Sequence, residues 1–235
     1  MSGPIVGLGG WLKNSFIDYP GTVSTVLFFN RCNLRCPYCH NPGFVDGQES
    51  IVVTEDDLFL FLEKRKRHLG GVVFTGGEPL LFTSAFKVRE KMRQLPYAIK
   101  LDTNGLQPDK LALFSPDYCA LDIKTDVAGY SQYLGYTAAD CARRLADSVA
   151  FVKSLGQQGE IRITVAPRLA DCETLEKIAA LVAGVSKIKI QRLRLDREIL
   201  DRGFFSEIEN EPSYDSVVTL YRDRLLQSCG SVEIR

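Results

Sequence analysis

Short apolar runs alternate along this chain with longer stretches in which apolar positions recur every three or four residues. The runs Val23–Phe29, Val72–Thr75, Ala98–Asp102, Tyr118–Lys124, Glu160–Ala166 and Lys187–Gln191 are rich in branched and aromatic side chains and predict six buried strands. The stretches between most of them read as helices. Thr54-Glu-Asp-Asp57 is a capping box that opens one helix, and the pair Gly70-Gly71 stops it. Thr137 and Asp171 are candidate caps for two more. Leu175, Ile178, Ala179 and Val182 form the apolar stripe of a helix lying on a sheet. A last helix is expected from about Pro212-Ser213 to Ser228, followed by a short strand.

Strands that alternate with helices imply a parallel sheet in an α/β fold. Six such units are too few for a closed eight-stranded barrel, so the expected form is an open, partial (β/α)6 barrel with outer helices. The chain, 235 residues long, reads as one domain: an N-terminal extension over 1–22, a barrel core over 23–192, and a C-terminal helix and strand over 193–235. No repeat or low-complexity tract interrupts it. Lysine and arginine together number 29, and so do aspartate and glutamate, so no net field favours nucleic acid or an anionic membrane. The opening residues lack a signal-peptide pattern, and no apolar run is long enough to span a bilayer, which sets a cytoplasmic expectation.

The candidate chemistry begins at Cys32, Cys36 and Cys39, spaced CxxxCxxC with Tyr38 just before the last. Three thiolates at this spacing suit three corners of a [4Fe–4S] cluster, leaving the fourth iron open to a small molecule. Zinc fits less well, because His40 adjoins Cys39 without a spacer and is the only near fourth ligand. A disulfide framework fits poorly with seven cysteines of which four are scattered. Those four, Cys119, Cys141, Cys172 and Cys229, read as small buried hydrophobes, with no second cluster. Some forty residues on stands Val72-Val-Phe-Thr-Gly-Gly-Glu-Pro79, a strand running into two glycines, a carboxylate and a proline. Its glycines permit close approach to the main chain, and its carbonyls and Glu78 can accept from a ligand ammonium.

The cysteine motif followed by Gly-Gly-Glu-Pro resembles the signature of the radical S-adenosylmethionine (SAM) superfamily. Phe16-Ile-Asp-Tyr-Pro-Gly21, Val26-Leu-Phe-Phe29, Tyr38-Cys-His-Asn-Pro42, Leu101-Asp-Thr-Asn-Gly105 and Leu121-Asp-Ile-Lys124 narrow the resemblance. They are similar to the activating proteins of glycyl-radical enzymes, above all those of anaerobic ribonucleoside-triphosphate reductase. The resemblance spans nearly the whole chain and is most specific in its first half. It implies the same partial barrel, with Cys32, Cys36 and Cys39 holding the cluster. It further implies that Tyr38 packs near cluster and adenine, that Asn41 helps position SAM, and that Gly76, Gly77 and Glu78 receive the methionyl ammonium. Asp102, Thr103 and Asp122 would lie near the methionine or ribose, with a monovalent cation beside the aspartates in some relatives, and Lys124 would neutralise the SAM carboxylate. Arg162 and Thr164 alternate with apolar residues and can face the barrel interior; Gln191 is placed similarly.

The implied reaction is one-electron cleavage of SAM to methionine and a 5′-deoxyadenosyl radical, which takes a hydrogen from a glycine of a partner enzyme. Flavodoxin or ferredoxin is the implied electron donor. Two other readings stay open: a radical SAM enzyme acting on a small molecule or peptide, and a binding module whose metal is structural. The chain departs from the family at Arg31 and Arg168, where glycine is usual, and at Gln191-Arg-Leu193, which lacks the usual aromatic residue. Lys64-Arg-Lys-Arg67 reads as a solvated helix end. Asp18-Tyr-Pro-Gly21 reads as a turn, which the resemblance puts near the barrel mouth.

Overall fold

The structure is a computed structural model and describes residues 3–194, 196, 198–205 and 214–235. It comprises two compact units. The first is built from Met1–Asn33, Gly43–Thr103 and Asp109–Tyr118, the second from Leu34–Pro42, Asn104–Pro108 and Cys119–Arg235.

In the first unit, β1 (Leu8–Ser15) pairs antiparallel with β2 (Ser24–Phe29). Strand β3 (Gly71–Gly76) runs parallel to β2, and β4 (Ala98–Thr103) parallel to β3. The helical segments are a short turn α1 (Pro42–Val45), then α2 (Glu55–Arg65), α3 (Thr83–Met92) and α4 (Pro108–Phe114). Val26, Leu27, Phe29, Val72, Val73 and Phe74 have no exposed surface, as strands covered on both faces require. Each contributes on the order of 2 kcal/mol through burial. The capping box is present: Thr54 Oγ1 accepts from the Asp57 backbone N–H, and Asp57 reaches back to the Thr54 N–H.

The turn between β1 and β2 leads into the amino end of β2. There Tyr19 packs with Val26, Val73 and Tyr118, its ring 5.7 Å from that of Tyr118, at the start of the following strand. The Asp18-Tyr-Pro-Gly21 turn therefore sits at the amino ends of the strands, opposite to the mouth where the resemblance puts it. Its geometry is fixed by Ser15, whose hydroxyl donates to Asp18 Oδ2 at 2.5 Å and accepts from the Ile17 and Asp18 N–H groups.

In the second unit, β5 (Tyr118–Ile123), β6 (Gly159–Val165), β7 (Ile188–Arg192) and β8 (Val232–Ile234) follow one another in parallel. Helices α5 (Val127–Tyr133), α6 (Cys141–Ser154), α7 (Cys172–Val182) and α8 (Tyr214–Leu226) cover them. Among the described residues β1 pairs only with β2, and β8 only with β7, so the sheet stays open. All six strands expected from the sequence are present. The start expected for the last helix, at Pro212-Ser213, lies outside the described residues.

Two further expectations are corrected. Thr137 does not cap a helix: α6 begins at Cys141, after Asp140, whose carboxylate bonds Arg143 and Arg144. Cys172 is exposed at the first turn of α7 and is no buried hydrophobe, whereas Cys119 and Cys141 are buried. Asp171 does cap α7, accepting from the Thr174 N–H at 2.7 Å.

Candidate active site

Carboxyl-end loops of both units carry the residues singled out by the sequence. In the first unit, β3 ends on two glycines because nothing larger fits. Gly76 has a φ of 109°, and a Cβ there would meet the Phe29 backbone at 2.5 Å. A Cβ at Gly77 would stand 2.0 Å from the Arg31 carbonyl oxygen. The Gly77 N–H donates to Phe29 and the Glu78 N–H to Arg31, at 2.7 and 2.8 Å. The two glycines thus lock the end of β3 onto the residues that precede Cys32.

Glu78 is fully buried. Its carboxylate accepts from Thr103 Oγ1 at 3.0 Å on both oxygens and from the Leu80 N–H at 3.1 Å, capping the 3-10 turn Pro79–Leu81. The side chain thus ties the end of β3 to the end of β4. Asp102 accepts from Thr75 Oγ1 at 3.1 Å and pairs with Lys100, itself buried. In the turn after β4, Asn104 Oδ1 accepts from the Leu106 N–H at 3.1 Å.

In the second unit, Cys36 and Tyr38 are buried and Cys39 is half-buried. The Tyr38 hydroxyl donates to the Lys124 carbonyl at 3.4 Å, and burial pushes its pKa well above the ordinary value. The Lys124 N–H donates to the hydroxyl of Tyr130, another buried ring. Asp122 accepts from Arg162 Nε at 2.6 Å and from Lys124 Nζ at 2.9 Å. Burial alone would raise this carboxyl, but Arg162 and then Lys124 outweigh it and hold its pKa at about 2. For Lys124 burial works downward, and the charges of Asp122 and Cys36 leave its pKa raised. Thr164 Oγ1 reaches Gln191 Oε1 at 3.4 Å across β6 and β7. Asn41 lies on the exposed part of the loop.

Three features of the site had no signal in the sequence. Tyr130 looks like an ordinary helical aromatic. The backbone N–H groups of Leu200 and Asp201, far downstream, donate to the carbonyls of Cys39 and Pro37 at 3.0 and 2.9 Å and brace the cysteine loop. Glu160 and Lys189 form a buried ion pair one layer below Asp122 and Arg162.

The donor set fits an iron–sulfur cluster. Cys32, Cys36 and Cys39 lie on one loop and form no disulfide, and backbone hydrogen bonds hold that loop at both ends. Among the described residues no three Cys, His, Asp or Glu side chains stand at metal-binding spacing.

An open α/β sheet, a CxxxCxxC loop and a Gly-Gly-Glu turn after a strand are together the marks of a class of iron–sulfur enzymes. Residues 26–182 match the model of the Radical SAM superfamily, and the chain belongs to that superfamily. It is an enzyme, and membership implies a [4Fe–4S] cluster and SAM as its cofactors. A Methanocaldococcus jannaschii protein described as a glycyl-radical enzyme activating enzyme is 29% identical, over 79% of this chain and 79% of its own. The pyruvate formate-lyase-activating enzyme of Clostridium pasteurianum is also 29% identical, over 79% of this chain and 85% of its own. A radical SAM methyltransferase from Sphaerobacter thermophilus shares the fold with a TM-score of 0.60 at 14% identity, over 94% of this chain and 68% of that one. Among the described residues no helix is long and apolar enough to cross a membrane.

Proposed function

We propose that this single-domain enzyme installs a glycyl radical on a partner enzyme, anaerobic ribonucleotide reductase being the first candidate. The similarity to two activating enzymes supports the reaction, and the sequence resemblance supports the partner. The observation that carries the reading is the junction of Tyr38 with Lys124. Tyr38 stands between two thiol ligands and bonds the Lys124 carbonyl, while the Lys124 ammonium and Arg162 gather around one carboxylate, Asp122. Both cations are of the kind that a methionyl carboxylate pairs with.

In this reading Cys32, Cys36 and Cys39 hold the cluster. When bound, cluster and SAM supply the electron and the carbon radical. The chain's own residues bind, orient and exclude water. By the resemblance, Lys124 would take the SAM carboxylate, with Arg162 beside it on Asp122, and the Gly76-Gly77 segment would take the ammonium. Glu78 acts through Thr103 by fixing the ends of β3 and β4, since its carboxylate is turned into the fold. Tyr38, Asn41, Asp102, Thr164 and Gln191 line the adenosine side. Asp102 and Asp122 are already paired with Lys100 and with Arg162 and Lys124, so a monovalent cation would have to displace an ammonium. We assign the electron to flavodoxin or ferredoxin and the enzyme to the cytoplasm.

The test is anaerobic electron paramagnetic resonance on reconstituted, reduced protein mixed with SAM and the reductase of the same organism, with 5′-deoxyadenosine quantified in parallel. A glycyl-radical doublet matched by deoxyadenosine is the expected result. Deoxyadenosine without the doublet rejects this partner and turns the search to small-molecule or peptide substrates. Neither product, from protein that holds its cluster, rejects the activase reading.

A further inference from the structure

We propose that Lys100 is a built-in counter-cation for Asp102, taking the place of the monovalent ion that the resemblance puts beside this aspartate in some relatives. The inference rests on the SAM site proposed above for its setting, and not on the choice of partner enzyme.

The strand gives the first observation. Ala98, Lys100 and Asp102 alternate along β4 and therefore share one face of the sheet. Ala98 packs against the apolar cluster of Tyr19, Val26, Val73 and Tyr118, and Val73 is the register partner of Lys100. The stem of Lys100 thus starts beside apolar side chains, and the residue as a whole is only 2% exposed. An ammonium so far removed from water needs a fixed anion. The four-carbon stem delivers the charge to Asp102, two residues nearer the carboxyl end of the strand.

The carboxylate gives the second observation. Lys100 pairs with Asp102 Oδ1, and the Thr75 hydroxyl donates to Oδ2 at 3.1 Å, so both oxygens are engaged from within the first unit. A small cation on this carboxylate would stand against the Lys100 ammonium, a like charge in a buried setting. Coulomb repulsion at contact distance keeps the two from sharing the site. In the second unit Asp122 likewise has side-chain cations of its own, Lys124 and Arg162.

A tethered cation differs from a bound one in a way that can be measured. It is present at every salt composition, and no binding step has to precede SAM. Lys100 and Thr75 hold Asp102 in one position beforehand, which lowers the ordering cost when SAM arrives. Lys100 is therefore a positioning residue that acts on SAM through Asp102.

Two variants of the full chain test this. Lys100→Ala removes charge and stem and leaves room for a small cation, whereas Lys100→Met removes the charge and keeps the bulk. The probes are potassium, sodium and propylammonium chlorides, set against tetramethylammonium chloride at equal ionic strength. The first readout is thermal melting of the cluster-free protein. Wild type should melt alike in all four salts. Lys100→Ala should melt lower in tetramethylammonium and regain roughly 2–4 °C, saturably, with at least one of the small cations. Lys100→Met should melt lower in every salt and regain nothing. The second readout is the SAM dissociation constant of reconstituted protein. It should not vary with salt for wild type, and for Lys100→Ala it should be about tenfold weaker in tetramethylammonium and recover with the rescuing cation. A wild type stabilised by potassium or sodium, or an alanine variant that no small cation rescues, overturns the inference. Either result leaves the SAM and activase readings standing, because the melts involve neither. Wild-type protein that holds its cluster and binds SAM in none of the salts overturns the SAM-site reading and the inference with it.

Discussion

Thr103 Oγ1 stands 3.0 Å from each carboxylate oxygen of Glu78, and both side chains are buried. A buried carboxylate survives only if hydrogen bonds replace the water it has lost. Thr103→Val keeps the shape of the side chain and removes a donor. The expected loss is roughly 1–3 kcal/mol of unfolding free energy. Thr103→Ser should restore most of it. Urea unfolding of the cluster-free protein checks both, and an unaltered midpoint in the valine variant would sink the clamp.

Gly77 tests the close approach of backbones. A Cβ there meets the Arg31 carbonyl oxygen at 2.0 Å, and backbone on both sides leaves no flexible group to yield. Gly77→Ala should cost about 3 kcal/mol through overpacking. Because the displaced residue precedes Cys32, iron and sulfide content after reconstitution should fall as well. Gly135→Ala is the control, since nothing lies within 4 Å of its Cβ, though its φ of 71° still imposes strain. Equal iron content in the Gly77 variant and this control would remove the link between the glycine pair and the cysteine loop.

How far these features could be read from sequence depends on the kind of signal. Strands β2 to β7 were legible because each is an apolar run bounded by glycine, proline or polar turns. Strand β1 was not: Leu8–Ser15 contains two glycines and ends in polar residues, and only pairing with β2 extends it. The capping box at Thr54 was legible because its geometry is local. The burial of Glu78 was not, since a glutamate in a loop reads as solvated until Thr103 arrives from another strand. The cysteine spacing favoured an iron–sulfur cluster over zinc, and the Gly-Gly-Glu-Pro run that follows it made that reading decisive. The N–H donors of Leu200 and Asp201 carry no residue signal at all, because backbone donors are common to nearly every residue.

Asp122 should make the cluster-free protein sensitive to acid. Arg162 and Lys124 depress its folded pKa to about 2, below the unfolded value near 4. A depressed carboxyl contributes stability above its unfolded pKa and loses it as pH falls through the folded one. The contribution is roughly 2 kcal/mol at neutral pH and fades between about pH 4 and pH 2. Asp122→Asn should therefore be least stable relative to wild type near neutrality, and the difference should shrink in that acid window. Denaturant titrations at several pH values check this; a constant difference across the window would mean the carboxylate is not held by its two cations.

Arg31 offers the converse of Gly77. It stands immediately before Cys32 with a φ of 57°, and it is exposed. The resemblance places glycine at this position, as it does at Arg168, and both arginines adopt the backbone region that glycine favours. Its side chain packs over Gly47, where a Cβ would meet Arg31 Cγ at 3.0 Å, so the substitution forfeits some contact. Relief of the left-handed strain is worth about 1 kcal/mol, against a larger conformational entropy for glycine in the unfolded chain. Exposed stem contacts are weaker than that relief, so Arg31→Gly should raise the melting temperature by a few degrees at most. Arg31→Ala should not, because alanine keeps the strain and loses the stem. Calorimetry on the two variants separates the cases, and a lower melting temperature for glycine than for alanine would show that the arginine stem, not the backbone, governs this turn.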